Sequence, residues 1–400
     1  MGDAVESDHV GARLRRWRRR RGLTQRVLAE LAGYSQGYVA QIENGLAPLD
    51  RRAAREALAR ALQISVGELT GGLDEKPPGS PVSAEAIAGL RSGIIALAVP
   101  AVTAGDAPQP PIGVVDTAVL ERYFEACRYD LLVPALAGTL TVLASQSRIV
   151  TGPAKRLHQR RTVEVCSTTV STCVQLGHPD LSLAVVGVAM RTAEALAEPA
   201  LLGLANYARI RAVSTTSGAG RVAQEGIDRL SPHVGQDPET ASAYGMLHLI
   251  SAELAARAGD ATVASAHLDE AAAVAAHTGD RPDDWFSFGP TNVEMWRLAA
   301  MVALGEGQAA RTAPPWFRPD TLPSAHRRAT YFIDLSRALL QGRGMDEAAA
   351  TALYRAEAIA PQQVSTSDGA RDALRILLSR PRYGRDGRMR GLAGRAGIRD

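Results

Sequence analysis

The stretch from Gln25 to Asn44 reads QRVLAELAGYSQGYVAQIEN and predicts two short helices joined by a tight turn. Thr24 precedes the first helix and Ser35 precedes the second, and either hydroxyl can accept a hydrogen bond from a backbone N–H left free at a helix start. Gly33 lies between the helices, where positive φ is easiest for a residue without Cβ. The stretch therefore predicts a compact helix-turn-helix unit, with Val39 and Ile42 facing inward.

The residues on either side extend the same pattern over residues 1–70. Leu14, Trp17 and Arg18 belong to a preceding helix, Leu58 and Leu62 to a following amphipathic helix, and residues 64–69 begin a fifth helix. Together with the central stretch, these positions resemble the Xre family, the phage repressor and Cro type of domain. The resemblance implies a five-helix domain that binds double-stranded operator DNA.

The resemblance also implies which residues meet the DNA. The family reads bases with the first turns of the second motif helix, here Ser35, Gln36, Gly37, Tyr38 and Gln41. A glutamine amide presents a donor beside an acceptor, as adenine N6 and N7 require, so Gln36 and Gln41 are the foremost candidates. Gly37 departs from relatives that carry a side chain at this position.

Phosphate contacts are expected from four further residues. Gln25 and Asn44 match the family's phosphate-contacting positions, and Arg19 and Arg20 lie in an arginine-rich first helix. Residues 1–70 hold 12 arginines and 8 acidic residues, a net charge of +4, whereas residues 71–370 have a net charge of −7 and residues 371–400 one of +6. This distribution indicates that DNA meets the ends of the chain.

Composition and motifs argue against a disulfide-rich or zinc-binding protein, a secreted or membrane protein, and an enzyme. Three cysteines, Cys127, Cys166 and Cys173, are too few and too widely spaced for a disulfide framework or a zinc site, and we expect Cys166 and Cys173, on one predicted helix, to be buried. The acidic start of the chain does not resemble a signal peptide, and no run is long and apolar enough to span a membrane, which predicts a cytoplasmic protein. Gly33–Gly37 fits G-x-S-x-G, but a helix and not a strand precedes it, and we expect no enzyme activity and no cofactor.

Beyond residue 70 the sequence predicts a linker over 71–82, a helical domain over 83–380 and a disordered basic tail over 381–400. Alanine and leucine recur at helical spacing. The predicted helices are 83–99, 116–128, 151–177, 179–195, 198–213, 221–231, 238–258, 261–276, 291–305, 325–342, 345–360 and 368–379. Their spacing resembles degenerate tetratricopeptide repeats, an α-solenoid, in actinobacterial regulators with an Xre-type head; an ordinary helical bundle is the alternative. The fold class predicted for the whole chain is all-α.

The segment from Trp285 to Trp296 concentrates aromatic residues in a chain that has few. Aromatic rings with a few polar groups among them are typical of ligand pockets, and Trp285, Phe288, Asn292 and Trp296 are the candidate ligand-binding residues. The alternative is that these rings fill the space between packed hairpins. His248 and His267 are expected to meet across one hairpin.

Together these features predict a cytoplasmic, homodimeric transcriptional regulator. Its helical domain would sense a small-molecule, peptide or protein effector. The alternative is an adaptor whose repeats hold a partner protein while DNA binding localises it.

Overall fold

The computed structural model describes residues 10–47, 49, 51–62, 64, 69, 81–99, 116–147, 149–307 and 313–398. Within these ranges the chain is helical and contains no β-strand, which confirms the all-α prediction. Four helices form the N-terminal domain: α1 Val10–Arg20, α2 Gln25–Ala32, α3 Gln36–Glu43 and α4 Arg52–Leu62. Most of the fifth helix expected at 64–69, and most of the linker expected at 71–82, lie outside the described residues.

The N-terminal domain is held by local caps around one apolar core. Thr24 Oγ1 accepts a hydrogen bond from Val27 N at 3.2 Å, and Ser35 Oγ accepts one from Tyr38 N at 3.2 Å. Gly33 has φ 74° and ends α2 in the left-handed conformation. These three observations confirm the predicted turn chemistry. Leu14, Leu28, Val39, Ile42 and Leu58 are buried in the core between the four helices.

The remaining fifteen helices form the body. They are α5 Ala84–Ala98, α6 Ala118–Glu125, α7 Tyr129–Gln146, α8 Gly152–Gln175, α9 Pro179–Leu196, α10 Pro199–Val213, α11 Ala219–Leu230, α12 Pro238–Ala258, α13 Ala261–Thr278, α14 Pro290–Leu304, α15 Ala325–Leu340, α16 Asp346–Ile359, α17 Pro361–Thr366, α18 Asp368–Leu378 and α19 Gly387–Arg395. The bounds of the predicted helices are reproduced to within three residues, but α17 and α19 were not predicted, and neither was helix α7. Pro134 lies inside this helix, and an interior proline ordinarily argues against a helix.

Helices of the body pack in two layers. Consecutive helices form hairpins, and α8, α10, α12 and α14 also contact one another in series to form an inner layer, with α9, α11 and α13 outside it. Arrangements of this kind are typical of helical-repeat proteins. The specific resemblance to tetratricopeptide repeats stays a prediction.

The two ends of the body meet. Gln363 Oε1, on the short helix α17, accepts hydrogen bonds from Tyr129 Oη at 3.0 Å and from the Cys127 thiol at 3.0 Å. Gln362 Nε2 donates to Asp130 Oδ1 at 2.8 Å. These contacts join positions more than 230 residues apart and close the inner helices around a central cavity.

The prediction of a disordered tail over 381–400 is wrong for residues 381–398. Helix α19 packs Met389, Leu392 and Ala393 at helical spacing, and Tyr383 is buried before it. Arg395 Nε also donates to Glu357 Oε1 at 2.7 Å. Arginine and glycine dominate the composition of this segment, but three apolar residues on one face of α19, together with Tyr383 before it, suffice to dock it on α16 and α18.

Helix α4 docks the N-terminal domain on the body. Helix α4 contacts α12, and Ala53 on it approaches Gly259 at the carboxyl end of α12, while Arg51 just before it approaches Gly305 at the carboxyl end of α14. A Cβ added at Gly305 would lie 2.8 Å from an Nη atom of Arg51, so the glycine leaves room for the guanidinium. A cation at this position is favourable because the carboxyl end of a helix carries partial negative charge.

Candidate nucleic-acid interface and ligand cavity

The N-cap and the first two turns of α3 carry the predicted base-reading residues. Ser35, Gln36, Gly37 and Gln41 are exposed. Tyr38 is half-buried, with its ring centroid 5.1 Å from that of Tyr34. A helix of this kind fits the major groove, where exposed amides reach base edges.

A buried carboxylate fixes α3 against α1 and α2. Glu43 Oε1 accepts from Arg18 Nε at 2.6 Å, and Glu43 Oε2 accepts from Arg18 Nη2 at 2.9 Å and from Gln25 Nε2 at 2.9 Å. The Glu43 side chain is fully buried and that of Arg18 is 13% exposed. The hydrogen bond to Glu43 raises the pKa of Arg18. The bidentate pair therefore fixes the orientation of α3 relative to α1.

The predicted phosphate-contacting residues lie around this network. Asn44 is exposed at the end of α3 and its Oδ1 accepts a hydrogen bond from Arg15. Arg19 and Arg20 are exposed at the end of α1, and the Arg20 guanidinium carbon lies 5.2 Å from the centre of the Trp17 ring. Gln25 is half-buried and donates to Glu43, so it also orients α2 towards α3. Contact of these residues with phosphate stays a prediction.

The inner helices of the body enclose a cavity of about 330 Å³. Its walls come from α6, α8, α10, α12, α14 and α15, and from Arg55 on helix α4 of the N-terminal domain. Phe124, Tyr207, Trp285 and Trp296 line it with aromatic rings. The cavity therefore has an aromatic lining and reaches the domain that carries the candidate DNA-binding residues.

Arg327 lies in the wall of this cavity, and its hydrogen-bond acceptors there are neutral groups. Its Nη1 donates to Asn292 Oδ1 at 2.8 Å, and its Nη2 donates to the carbonyl oxygen of Phe286. Asn292 is buried, so it holds the guanidinium in place. Burial lowers the pKa of Arg327, and the charge of Glu125 opposes that effect.

Other polar atoms at the cavity wall have no hydrogen-bond partner among the described residues. They are Arg211 Nε, Arg327 Nε, Trp285 Nε1 and Glu125 Oε2, and all four are buried. Unpaired polar atoms in a folded interior are unfavourable, and their presence around one cavity is typical of a binding site.

Three of the four predicted ligand-binding residues, Trp285, Asn292 and Trp296, line the cavity. Phe288 does not line it, and its predicted ligand contact is corrected. The Phe288 ring is fully buried over Gly245, where an added Cβ would lie 2.1 Å from the ring. It fills the space between α12 and the loop before α14, as the packing alternative had proposed for the whole segment.

The sequence did not single out Arg211, Arg327 or Glu125. They lie on three different helices, and the chain contains many other arginines and glutamates at similar helical positions. Only the closure of the inner layer brings them to one cavity.

Cys166, Cys173 and the histidine pair behave as the sequence predicted. All three cysteines are buried, and burial raises the pKa of each thiol to about 12. His248 Nδ1 and His267 Nδ1 lie 3.1 Å apart. Within the described ranges, no group of three or more His, Cys, Asp or Glu side chains is placed to hold a metal ion. None of the helices described here could cross a membrane, because none combines the necessary length with a sufficiently apolar sequence.

Comparison with protein families matches residues 9–70 to a family described as a helix-turn-helix domain. The N-terminal domain is therefore a helix-turn-helix domain, and this supports a DNA-binding regulator. Searches of curated proteins and of solved structures found no match to the chain.

Proposed function

We propose that this protein is a sequence-specific DNA-binding transcriptional regulator of the Xre type, whose helical body senses a signal. The observation that carries the proposal is the exposed surface of α3, with Gln36 on its first turn and Gln41 on its second, held by the buried Arg18–Glu43 pair. Amides presented on a rigid helix are suited to direct readout of adenine in the major groove.

The body supports a sensory role because of where its cavity lies. Arg55 contributes to the cavity wall and belongs to α4, the helix by which the helix-turn-helix domain docks on the body. A ligand that contacts this wall differently in two arrangements of α4 would change DNA affinity. Coupling of 1–3 kcal/mol, about 5- to 150-fold in affinity, is typical of such linkage.

Binding to DNA is tested by selecting fragments from random or genomic DNA and measuring affinity by fluorescence anisotropy. We expect Gln36→Ala and Gln41→Ala each to weaken binding to the selected site by about 1 to 3 kcal/mol and to relax preference at one base pair. Gln224→Ala, on the exposed face of α11, is the matched control. Equal affinity of all variants for every sequence would contradict the proposed reading helix.

Dimerisation is the remaining part of the proposal. One helix-turn-helix domain covers a half-site, and two copies on a near-palindromic site would place their reading helices about 34 Å apart. Sedimentation of the full chain, free and on the selected DNA, tests it. A monomer in both states at about micromolar concentration would contradict the dimer.

A further inference from the structure

The size of the cavity restricts the class of signal. Ligand pockets commonly measure about 300 to 1,000 Å³, and a cavity of about 330 Å³ lies at the small end of that range. The walls come from helices on several sides of a closed ring. One small molecule fits such a space.

The charges at the wall restrict the ligand further. Arg327 is held by a carboxamide and a backbone carbonyl, and it forms no ion pair with any residue that the structure describes. Arg211 likewise has neither an ion pair nor a hydrogen bond within the described ranges. Both side chains are half-buried and neither forms an ion pair within the described ranges, so an anionic group on a ligand can pair with both guanidinium groups.

Aromatic rings and four carboxylates complete the lining, and two of the carboxylates, Glu253 and Asp334, already form ion pairs with Arg257 and Arg337. Phe124, Tyr207, Trp285 and Trp296 offer flat apolar surfaces, which suit a planar ring on the ligand. Glu125 Oε2 lacks a donor among the described side chains and backbone, and it would repel a second anion placed beside it. The anionic group therefore belongs at the arginines, and a hydroxyl or N–H group elsewhere on the ligand can donate to Glu125.

We infer that the cavity binds a small aromatic acid, with its carboxylate at Arg211 and Arg327, its ring among the aromatic side chains and a donor group towards Glu125. This inference rests on the proposed sensory function and names the chemical class of the signal. Tight binding of this class requires both the fixed guanidinium of Arg327 and the unpaired one of Arg211, because a guanidinium matches a carboxylate in shape as well as charge.

The test is calorimetric titration of the full chain with three acids, each beside its amide: phenylacetate, 4-hydroxyphenylacetate and indole-3-acetate. Each amide keeps the skeleton of its acid and removes the charge. We expect every acid to bind at least about tenfold more tightly than its amide, and the two acids that carry a donor to bind more tightly than phenylacetate.

Variants locate the charge preference. Arg211→Gln should lower the affinity for each acid by about tenfold or more and leave the affinity for the amides unchanged. Arg211 is preferred to Arg327 for this purpose because Arg327 also holds Asn292, and its loss can perturb folding. Glu125→Leu should remove the preference for 4-hydroxyphenylacetate over phenylacetate. Arg221→Gln, exposed on α11, is the control and should bind as the parent does.

The inference is overturned by equal affinity for acids and amides. It is also overturned if Arg211→Gln leaves the affinity for the acids unchanged. A third contrary result is a dissociation constant above about 1 mM for every acid, measured on protein that circular dichroism shows to be folded. Binding to the selected DNA is measured on the same preparation. Intact DNA binding with no acid preference refutes the ligand class alone, whereas loss of DNA binding by the parent refutes the proposed function.

Discussion

Replacing Glu43 with glutamine keeps the volume of the side chain but should weaken the contacts that hold α3, the reading helix, against α1 and α2. Glu43 accepts three hydrogen bonds, two of them at Oε2 from Arg18 and Gln25. The amide of glutamine would place a donor against those two donors and leave the Arg18 cation without a counter-ion. Breaking a buried pair in this way commonly costs about 3 to 5 kcal/mol, and the lower value is expected because Arg18 retains some exposure and its bond to Leu23 O.

Hydrogen exchange measured by mass spectrometry on the full chain reports this loss, because peptides from residues 10–62 reveal local opening of the N-terminal domain. The matched control is Glu194→Gln. Glu194 pairs with Arg229 at 3.0 Å, but both side chains are 47% exposed, so its loss should change stability by less than about 1 kcal/mol. Affinity for the selected DNA should fall with Glu43→Gln and not with Glu194→Gln.

A double variant separates charge from packing. Arg18→Met with Glu43→Leu removes both charges and keeps apolar volume, and such replacements are often neutral or stabilising. We expect the double variant to recover most of the stability lost by Glu43→Gln. If Glu43→Gln lowers stability no more than Glu194→Gln does, then solvent screens the Arg18–Glu43 pair, and this pair does not fix the reading helix.

Three further predictions concern charge, coupling and pH. Replacing Arg19 and Arg20 together with alanine should weaken binding to selected and random DNA alike. It should also reduce the slope of log affinity against log salt concentration by up to about two units, whereas an unchanged slope assigns both arginines to a solvated surface. Arg55→Ala should preserve binding of DNA and of the aromatic acid, yet reduce the effect of the acid on DNA affinity to less than about threefold; an undiminished effect places the coupling elsewhere. Burial, and then the charge of His267, lower the pKa of His248 from 6.5 to about 4. The unfolded chain therefore binds the proton first, and stability present above pH 6.5 should be lost as the pH falls towards 4. In urea unfolding this loss should be about 3 kcal/mol larger for the parent than for His248→Gln, and parallel pH profiles would contradict it.

Local chemistry determined the elements that the sequence predicted. Thr24 and Ser35 cap helices with atoms three residues away, and Gly33 turns the chain through its own φ. Hydrophobic periodicity likewise determines where most helices of the body begin and end. These signals lie within a few residues of the features they specify, so they can be read without knowledge of the fold.

Tertiary packing decided what such signals do not contain. Helix α7 forms despite Pro134, and α19 forms because a few apolar residues find a partner surface on α16 and α18. The cavity exists because α6 contacts both α8 and α15, and the hydrogen bond from Tyr129 to Gln363, across 234 positions of sequence, joins the same distant parts of the body. Closure then brings Arg211 and Arg327 to one wall. The spacing of Arg211 and Arg327 along the chain does not predict that they lie close together, because their proximity depends on the summed rotation of every hairpin between them.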